Sequence, residues 1–321
     1  MKKRGKKILF ICGSLNQTTI MHQIANHLEN HECCFTPYYG DGVVKALADR
    51  GMLDFTVLGG RFREQTEGHL GKHGLKVDYR GETNDYDLVV TCQDLIIQNN
   101  IRKKKIVLVQ EGMTDPENLI YHLVRKLKLP RYLASTSMTG LSHAYEKFCV
   151  ASEGYRHHFI KKGVDPKKIA VTGIPNFDNV DTYRVNDFPY KHYALVATSD
   201  ARETFKPDMR RRFIKNALSL SGRRPIIFKL HPNEKPERAS REIKKIIPDA
   251  IVFQNRDINP MIANCDILIT QYSSVAYSGL ALGKEVHSYF SIEELKRLMP
   301  IQNGGRSAEN IAHTCVEVLA A

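Results

Sequence analysis

The stretch Asp266-Ile-Leu-Ile-Thr-Gln271-Tyr-Ser-Ser274-Val-Ala-Tyr-Ser-Gly-Leu-Ala-Leu-Gly283-Lys284 runs from an apolar segment through two serines into a helical pattern. Ile267–Thr270 is short, continuous and preceded by a charge. That is how a strand of a parallel sheet covered on both faces reads. Ser274–Leu282 is the expected helix. Hydroxyls and unpaired N–H groups at such a helix start suit a pyrophosphate, although a serine N-cap explains the same residues more simply.

The same strand–loop–helix order recurs along the chain. Expected strands are Ile8–Cys12, Phe35–Tyr39, Asp87–Thr91, Ile106–Val109, Lys147–Ala151, Ile169–Thr172, Ala194–Thr198, Ile226–Leu230 and Ala250–Phe253. Expected helices are Thr19–Leu28, Val43–Arg50, Leu119–Leu127, Glu153–Lys162, Met209–Leu220, Arg238–Ile247 and Ser307–Leu319. Repeated βα units imply an α/β protein with doubly wound parallel sheets. Residues 59–86, rich in Gly, Arg, Glu and His, have weak periodicity and read as a long loop. The polar segment 174–192 is the best linker, and divides the chain into domains 1–175 and 176–321.

In such sheets ligands collect at the carboxyl ends of the strands, so the loops there hold the candidate site. Gly13 and Ser14 follow the first strand and open a helix. This is no Walker loop, for the Gly-Lys-Ser/Thr ending is missing. Asp94 and Glu111 follow two apolar strands, where partial burial would raise a carboxyl pKa and suit it to acid–base work; either could instead cap local backbone. Thr198, Ser199 and Arg202 follow Ala194–Thr198, and Arg202 could clamp a diphosphate or pair with Glu203. In Lys229-Leu-His231-Pro-Asn233-Glu234, Pro232 stops the strand and sets His231 at the sheet edge, within reach of a phosphate.

Bulk properties narrow the function classes. The 321 residues suffice for two domains, and 42% hydrophobic with 26% charged residues is an ordinary globular balance. The net charge of +12 favours an acidic partner: a nucleotide, an anionic membrane surface or a nucleic acid. Nucleic acid is disfavoured, because no Cys/His finger, RNP-like aromatic strand or basic–aromatic interleaving occurs. The seven cysteines form no Cys-x-x-Cys pair and read as buried thiols. No apolar run approaches the ~20 residues of a spanning helix, and Ile8–Cys12 is too short for a signal-peptide core, so a cytoplasmic location is expected.

Three stretches resemble the GT-B superfamily. Cys149-Val-Ala-Ser-Glu153 through Gly163-Val-Asp-Pro-Lys-Lys-Ile169 to Val171-Thr-Gly-Ile-Pro-Asn-Phe-Asp178 is similar to its interdomain segment, Leu230-His-Pro-Asn233 to its His-Pro loop, and Ile269-Thr-Gln-Tyr-Ser-Ser274 to Leu282-Gly-Lys284 to its donor-phosphate loop. The resemblance implies two Rossmann-like domains facing across a cleft, the first for an acceptor and the second for a nucleotide donor. The Tyr-Ser-Ser loop resembles that of CDP-glycerol and related polyol-phosphate or capsule-polymer transferases, with Gln271 where those carry Asp. Non-hydrolysing UDP-N-acetylglucosamine 2-epimerase is the other relative. Its carboxylates match Asp94 and Glu111, and its Arg-Glu pair matches Arg202-Glu203. Its catalytic His falls at Asp200, its Ser-Gly-Gly loop at Tyr272-Ser273-Ser274, and its ribose-holding glutamate pair at Tyr277-Ser278.

These likenesses imply a transferase that moves a sugar or polyol phosphate from a nucleotide donor to a hydroxyl acceptor in cell-surface polymer or glycan synthesis. His231, Ser273 and Ser274, with Arg202, would hold the diphosphate. Gly13, Ser14, Thr198, Ser199, Asn233, Gln271 and Tyr272 complete the expected binding set, and Glu111, seconded by Asp94, is the expected base. No Asp-x-Asp signature occurs, and neither metal nor cofactor is expected. The expected partners are a nucleotide-diphosphate donor, a lipid-linked or glycan acceptor, and an anionic membrane touched peripherally by the basic first domain. The alternatives are a sugar-nucleotide epimerase and a catalytically silent sugar-nucleotide-binding protein.

Overall fold

The computed structural model describes residues 5–199, 201–203 and 208–321. The chain forms two compact units, residues 1–178 with 303–321, and residues 179–302. In the first unit the elements run β1 (Lys7–Ile11), α1 (Leu15–Ala25), β2 (Glu32–Thr36), α2 (Gly42–Asp49), α3 (Gly60–Lys72), β3 (Leu88–Thr91), β4 (Lys105–Val109), α4 (Leu119–Leu127), β5 (Lys147–Val150), α5 (Glu153–Lys162) and β6 (Ile169–Val171). The second unit holds β7 (Ala194–Ala197), α6 (Arg210–Ser221), β8 (Ile226–Lys229), α7 (Pro236–Lys244), β9 (Ile251–Phe253), α8 (Ile258–Asn264), β10 (Ile267–Thr270), α9 (Val275–Ala281), β11 (Glu285–His287) and α10 (Ile292–Leu298). The last helix, α11 (Ser307–Ala320), belongs to the first unit.

Each unit has one parallel sheet. Strand order is β2-β1-β3-β4-β5-β6 in the first and β11-β10-β7-β8-β9 in the second. The strands are buried along nearly their whole length because helices cover both faces, which is why they read as unbroken apolar runs. Order reverses between β1 and β3 in one sheet and between β7 and β10 in the other. At such switch points neighbouring loops diverge and leave a crevice at the carboxyl edge.

Two expectations are corrected. Residues 59–86 are not a long loop: α3 occupies Gly60–Lys72. Its apolar signal is weak because the only residues it buries are Thr66 and Leu70. The division at 175/176 also fails for the last helix. Ala308, Ile311, Ala312, Cys315 and Val318 form a stripe that packs with Ile8, Phe10, Ile20 and Val107 in the first unit's core. Asp178 fixes where that helix starts. Its Oδ2 accepts the N–H of Ser307 at 2.8 Å, and its carbonyl accepts those of Asn303 and Gly304 at 3.0 Å. An N-terminal cap of this kind is expected to be worth about 0.5–2 kcal/mol, so Asp178→Ala should lower the urea midpoint by that much stability.

Lys162 is a buried lysine of α5. Its ammonium donates to the Ser137 carbonyl and lies 5.5 Å from the Tyr121 ring centroid and 5.7 Å from that of Phe159. Burial pushes its pKa down to about 8. Between about 8 and the ordinary lysine value near ~10.4, the unfolded chain holds a proton that the folded chain has lost, so this group favours folding as pH rises through that window. Burial pushes the thiols of Cys12, Cys149 and Cys265 up to about 12, which works in the opposite direction. The lysine's part is therefore read as a difference. The stability of the parent protein should rise relative to Lys162→Met as pH goes from about 8 to about 10, in paired denaturation series.

Candidate functional site

In the second unit the loops after β10, β7 and β8 adjoin at the switch point. A buried network holds them. Glu234 accepts from the Thr198 hydroxyl, from the His231 N–H at 3.0 Å and from the Arg210 guanidinium. Arg210 also reaches the Ser199 carbonyl and Asp208, each at 3.1 Å. The side chains of Asp208 and Glu234 are fully buried, and the paired charges are what makes that tolerable. Thr198 is thus a brace, tying the β7 loop to the His231 N–H at 3.1 Å.

The His231 Nδ1 accepts the N–H of Asn233 at 3.2 Å. With Nδ1 as acceptor, a neutral ring carries its proton on Nε2 and donates from there. Gln271, expected as a ligand contact, is buried and works as a second brace. Its Oε1 accepts from the Ser199 hydroxyl at 2.6 Å, and its carbonyl accepts from Ser288 at 2.9 Å.

Ser273 and Ser274 are half-exposed. Ser274 has helical dihedrals (φ −65°, ψ −15°) and makes no side-chain bond to the helix end, so its hydroxyl is not spent as a cap. Tyr272 beside them is 56% exposed and meets Tyr289 and Phe290 edge-on, with centroids at 5.4 and 5.0 Å. An exposed ring steadied from behind in this way presents an apolar platform. Sequence reading named Tyr272 but missed Tyr289, which follows a strand of only three residues.

Arg202 is held between carboxylates of its own unit. Its guanidinium is shared between Glu242, at 2.8 and 2.7 Å, and Asp208, at 3.2 Å, while Glu203 pairs with Arg238. Its charge is therefore already matched by two carboxylates, Glu242 and Asp208, and neither is the Glu203 of the alternative reading. Asp200 lies outside the described residues.

In the first unit, the loop after β1 and the first turn of α1 surround Glu111. Its carboxylate accepts from the Ser14 hydroxyl at 3.1 Å, from Asn16 at 3.0 Å and from the Gln17 amide. The acceptor oxygens thus sit at the positive end of α1. Ser14 and Gln17 form a reciprocal capping box over the same turn. An added Cβ at Gly13 would stand 1.7 Å from the Gln17 Oε1, so a larger residue there would push the Gln17 amide off the Ser14 N–H. Gln110, which sequence reading passed over, joins two loops by accepting the Ala151 N–H at 2.9 Å and donating to the Gly112 carbonyl at 2.8 Å.

Asp94 is placed differently. It is 1% exposed, and its two oxygens accept the N–H groups of Gly140 and Ser142, each at 3.0 Å. Burial pushes its pKa up, against the pull of those two bonds. Such a carboxylate anchors the 140–142 turn. Glu111 remains half-exposed. Asp94→Asn turns one acceptor into a donor facing an N–H. It should cost about 1–3 kcal/mol of stability, and Glu111→Gln, which likewise turns one acceptor into a donor facing donors but at a half-exposed position, should cost less.

No protein-family model matches the sequence, and no curated protein does either. Solved structures do resemble it. A UDP-GlcNAc 2-epimerase from Neisseria meningitidis, bound to UDP-GlcNAc, aligns with a TM-score of 0.61 at 13% identity, over 97% of this chain and 100% of its own. The Methanocaldococcus jannaschii UDP-GlcNAc 2-epimerase, in complex with UDP-GlcNAc and UDP, gives 0.55 at 14%, over 97% and 99%. Anabaena HepE, in complex with UDP and glucose, gives 0.52 at 14%, over 97% and 90%. At this identity the likeness establishes the fold, which is GT-B-like: two Rossmann-type α/β units with parallel sheets.

Proposed function

We propose that this protein is an enzyme acting on a nucleoside-diphosphate sugar, held by its second unit. The observation that carries this reading is the loop cluster at the switch point of the second sheet. There the Ser273 and Ser274 hydroxyls are donors suited to a diphosphate, with the His231 ring on an adjoining loop, and these loops are stiffened by Glu234 and Gln271. Tyr272, backed by Tyr289 and Phe290, suits stacking with a base. Structures of the same fold that hold UDP-GlcNAc, or UDP with glucose, support the ligand class.

Interconversion of two sugar nucleotides is the reaction these likenesses favour, since the neighbours are UDP-GlcNAc 2-epimerases. Glu111 is its proton-handling carboxylate. Transfer to an acceptor is the second reading, and two observations favour it. Asp94, the second carboxylate that epimerisation would call on, is spent on backbone. The helix α4 buries Tyr121 and Val124 but exposes Leu119, Ile120, Leu123 and Leu127, among Arg125, Lys126 and Lys128. An exposed apolar stripe with basic flanks suits an anionic lipid surface, where a lipid-linked acceptor would lie.

Thermal-shift measurements with UDP, UDP-GlcNAc, CDP and CDP-glycerol test the ligand class, because a bound ligand raises the melting temperature by mass action. No rise with any of them would overturn the proposal. Chelator-treated protein should bind equally well, since the donors are hydroxyl and imidazole groups. Ser273→Ala with Ser274→Ala should weaken diphosphate binding by about 1–3 kcal/mol. Glu111→Gln should keep affinity and lower turnover about 10²–10⁴-fold. A new sugar nucleotide formed from UDP-GlcNAc alone marks interconversion; nucleotide release only with an acceptor on anionic vesicles marks transfer. Binding without either reaction marks a silent binding protein.

A further inference from the structure

The helices α1 and α3 meet along a polar seam. The hydroxyls of Thr18 and Thr66, both buried, lie 2.9 Å apart, and Thr66 also donates to the Gly13 carbonyl at 2.7 Å. One turn further along α1, the His22 Nδ1 lies 3.1 Å from the His69 Nε2. His73, the C-cap of α3, completes a triad, with ring centroids 4.9 Å from His22 and 4.4 Å from His69. One nitrogen from each ring falls within a set whose members all lie within 4.8 Å of one another.

We propose that His22, His69 and His73 form a transition-metal site, of which Zn²⁺ is the best-suited occupant, stapling α3 to α1. Three imidazole nitrogens with no thiolate or carboxylate among them suit Zn²⁺, which takes nitrogen ligands at about 2.0–2.1 Å in a tetrahedron and so needs them about 3.3 Å apart. The His22–His69 pair already meets that spacing. His69 and His73 stand one helical turn apart on one face, the usual arrangement for a pair of helix-borne ligands. Only the exposed His73 ring has to swing inward, and its position at the helix end leaves it room. A water or an anion would take the fourth place.

One further feature agrees. The helix α3 buries few side chains, Thr66 and Leu70, and has little else in its own apolar surface to hold it. A bridging metal supplies what that seam lacks. It would also steady the Gly13–Ser14 turn, because Thr66 of the same helix holds the Gly13 carbonyl.

The test is Zn²⁺ titration of the tag-free, chelator-stripped full chain, followed by calorimetry and by competition with a chromophoric chelator. One Zn²⁺ per chain is expected, with a micromolar or tighter dissociation constant and a melting temperature that rises with Zn²⁺. His22→Ala and His69→Ala should weaken binding at least about 10–100-fold, the scale on which metal-site changes act. His73→Ala, at an exposed helix end, tests the same point without threatening the fold, and His122→Ala serves as control. Failure of the stripped chain to bind a stoichiometric Zn²⁺ would overturn the proposal and reduce the triad to hydrogen-bonded imidazoles. Equal binding by His73→Ala and the parent would overturn the three-histidine site.

Discussion

A parallel strand cannot turn straight back to its neighbour. The chain must cross over the sheet, and in both units it does so mostly through helices, which bury the strands on two faces. The rest of this structure depends on that constraint. It sends every strand-to-helix loop of a unit to the same edge, so residues far apart in sequence, such as Ser199 and Gln271, or Ser14 and Glu111, become hydrogen-bonding neighbours. It also makes the strands nearly pure hydrocarbon, which leaves chemistry to the loops.

Loops at such an edge need holding, and the two units do this differently. The second unit uses charge: Arg210 is buried with Asp208 and Glu234, and Glu234 fixes both Thr198 and the His231 backbone. The first unit uses neutral dipoles. Glu111 takes three side-chain donors from α1 and its preceding turn, and Asp94 takes two backbone N–H groups. A buried carboxylate matched by a guanidinium and one matched by peptide groups look alike in sequence. Only the fold tells which is which.

That difference marks how far the sequence could be read. Both sheets were legible, because Val107–Val109 or Ile267–Thr270 can hardly be anything but buried strand. The sites of Glu111, His231, Ser273 and Ser274 at strand ends followed from the same pattern. Asp94 and Arg202 were legible in position but not in direction. Their partners, the N–H groups of Gly140 and Ser142 and the carboxylate of Glu242, lie some 40 residues further on, beyond any local rule. The helix α3 was illegible for a related reason: it meets α1 through threonine and histidine instead of an apolar stripe, and it contains Gly68 and Gly71. Periodicity detects hydrocarbon faces and passes over polar ones.

The placement of α11 bears on the order in which the protein can mature. Ile311, Cys315 and Val318 complete the core around β1 and β4, yet a ribosome makes them only after the whole of the second unit. The first unit therefore leaves the exit tunnel with one flank of its sheet uncovered. The second, drawn from one uninterrupted stretch, has all its residues in hand earlier. The half of the molecule that is translated first is thus the half that must wait to finish folding.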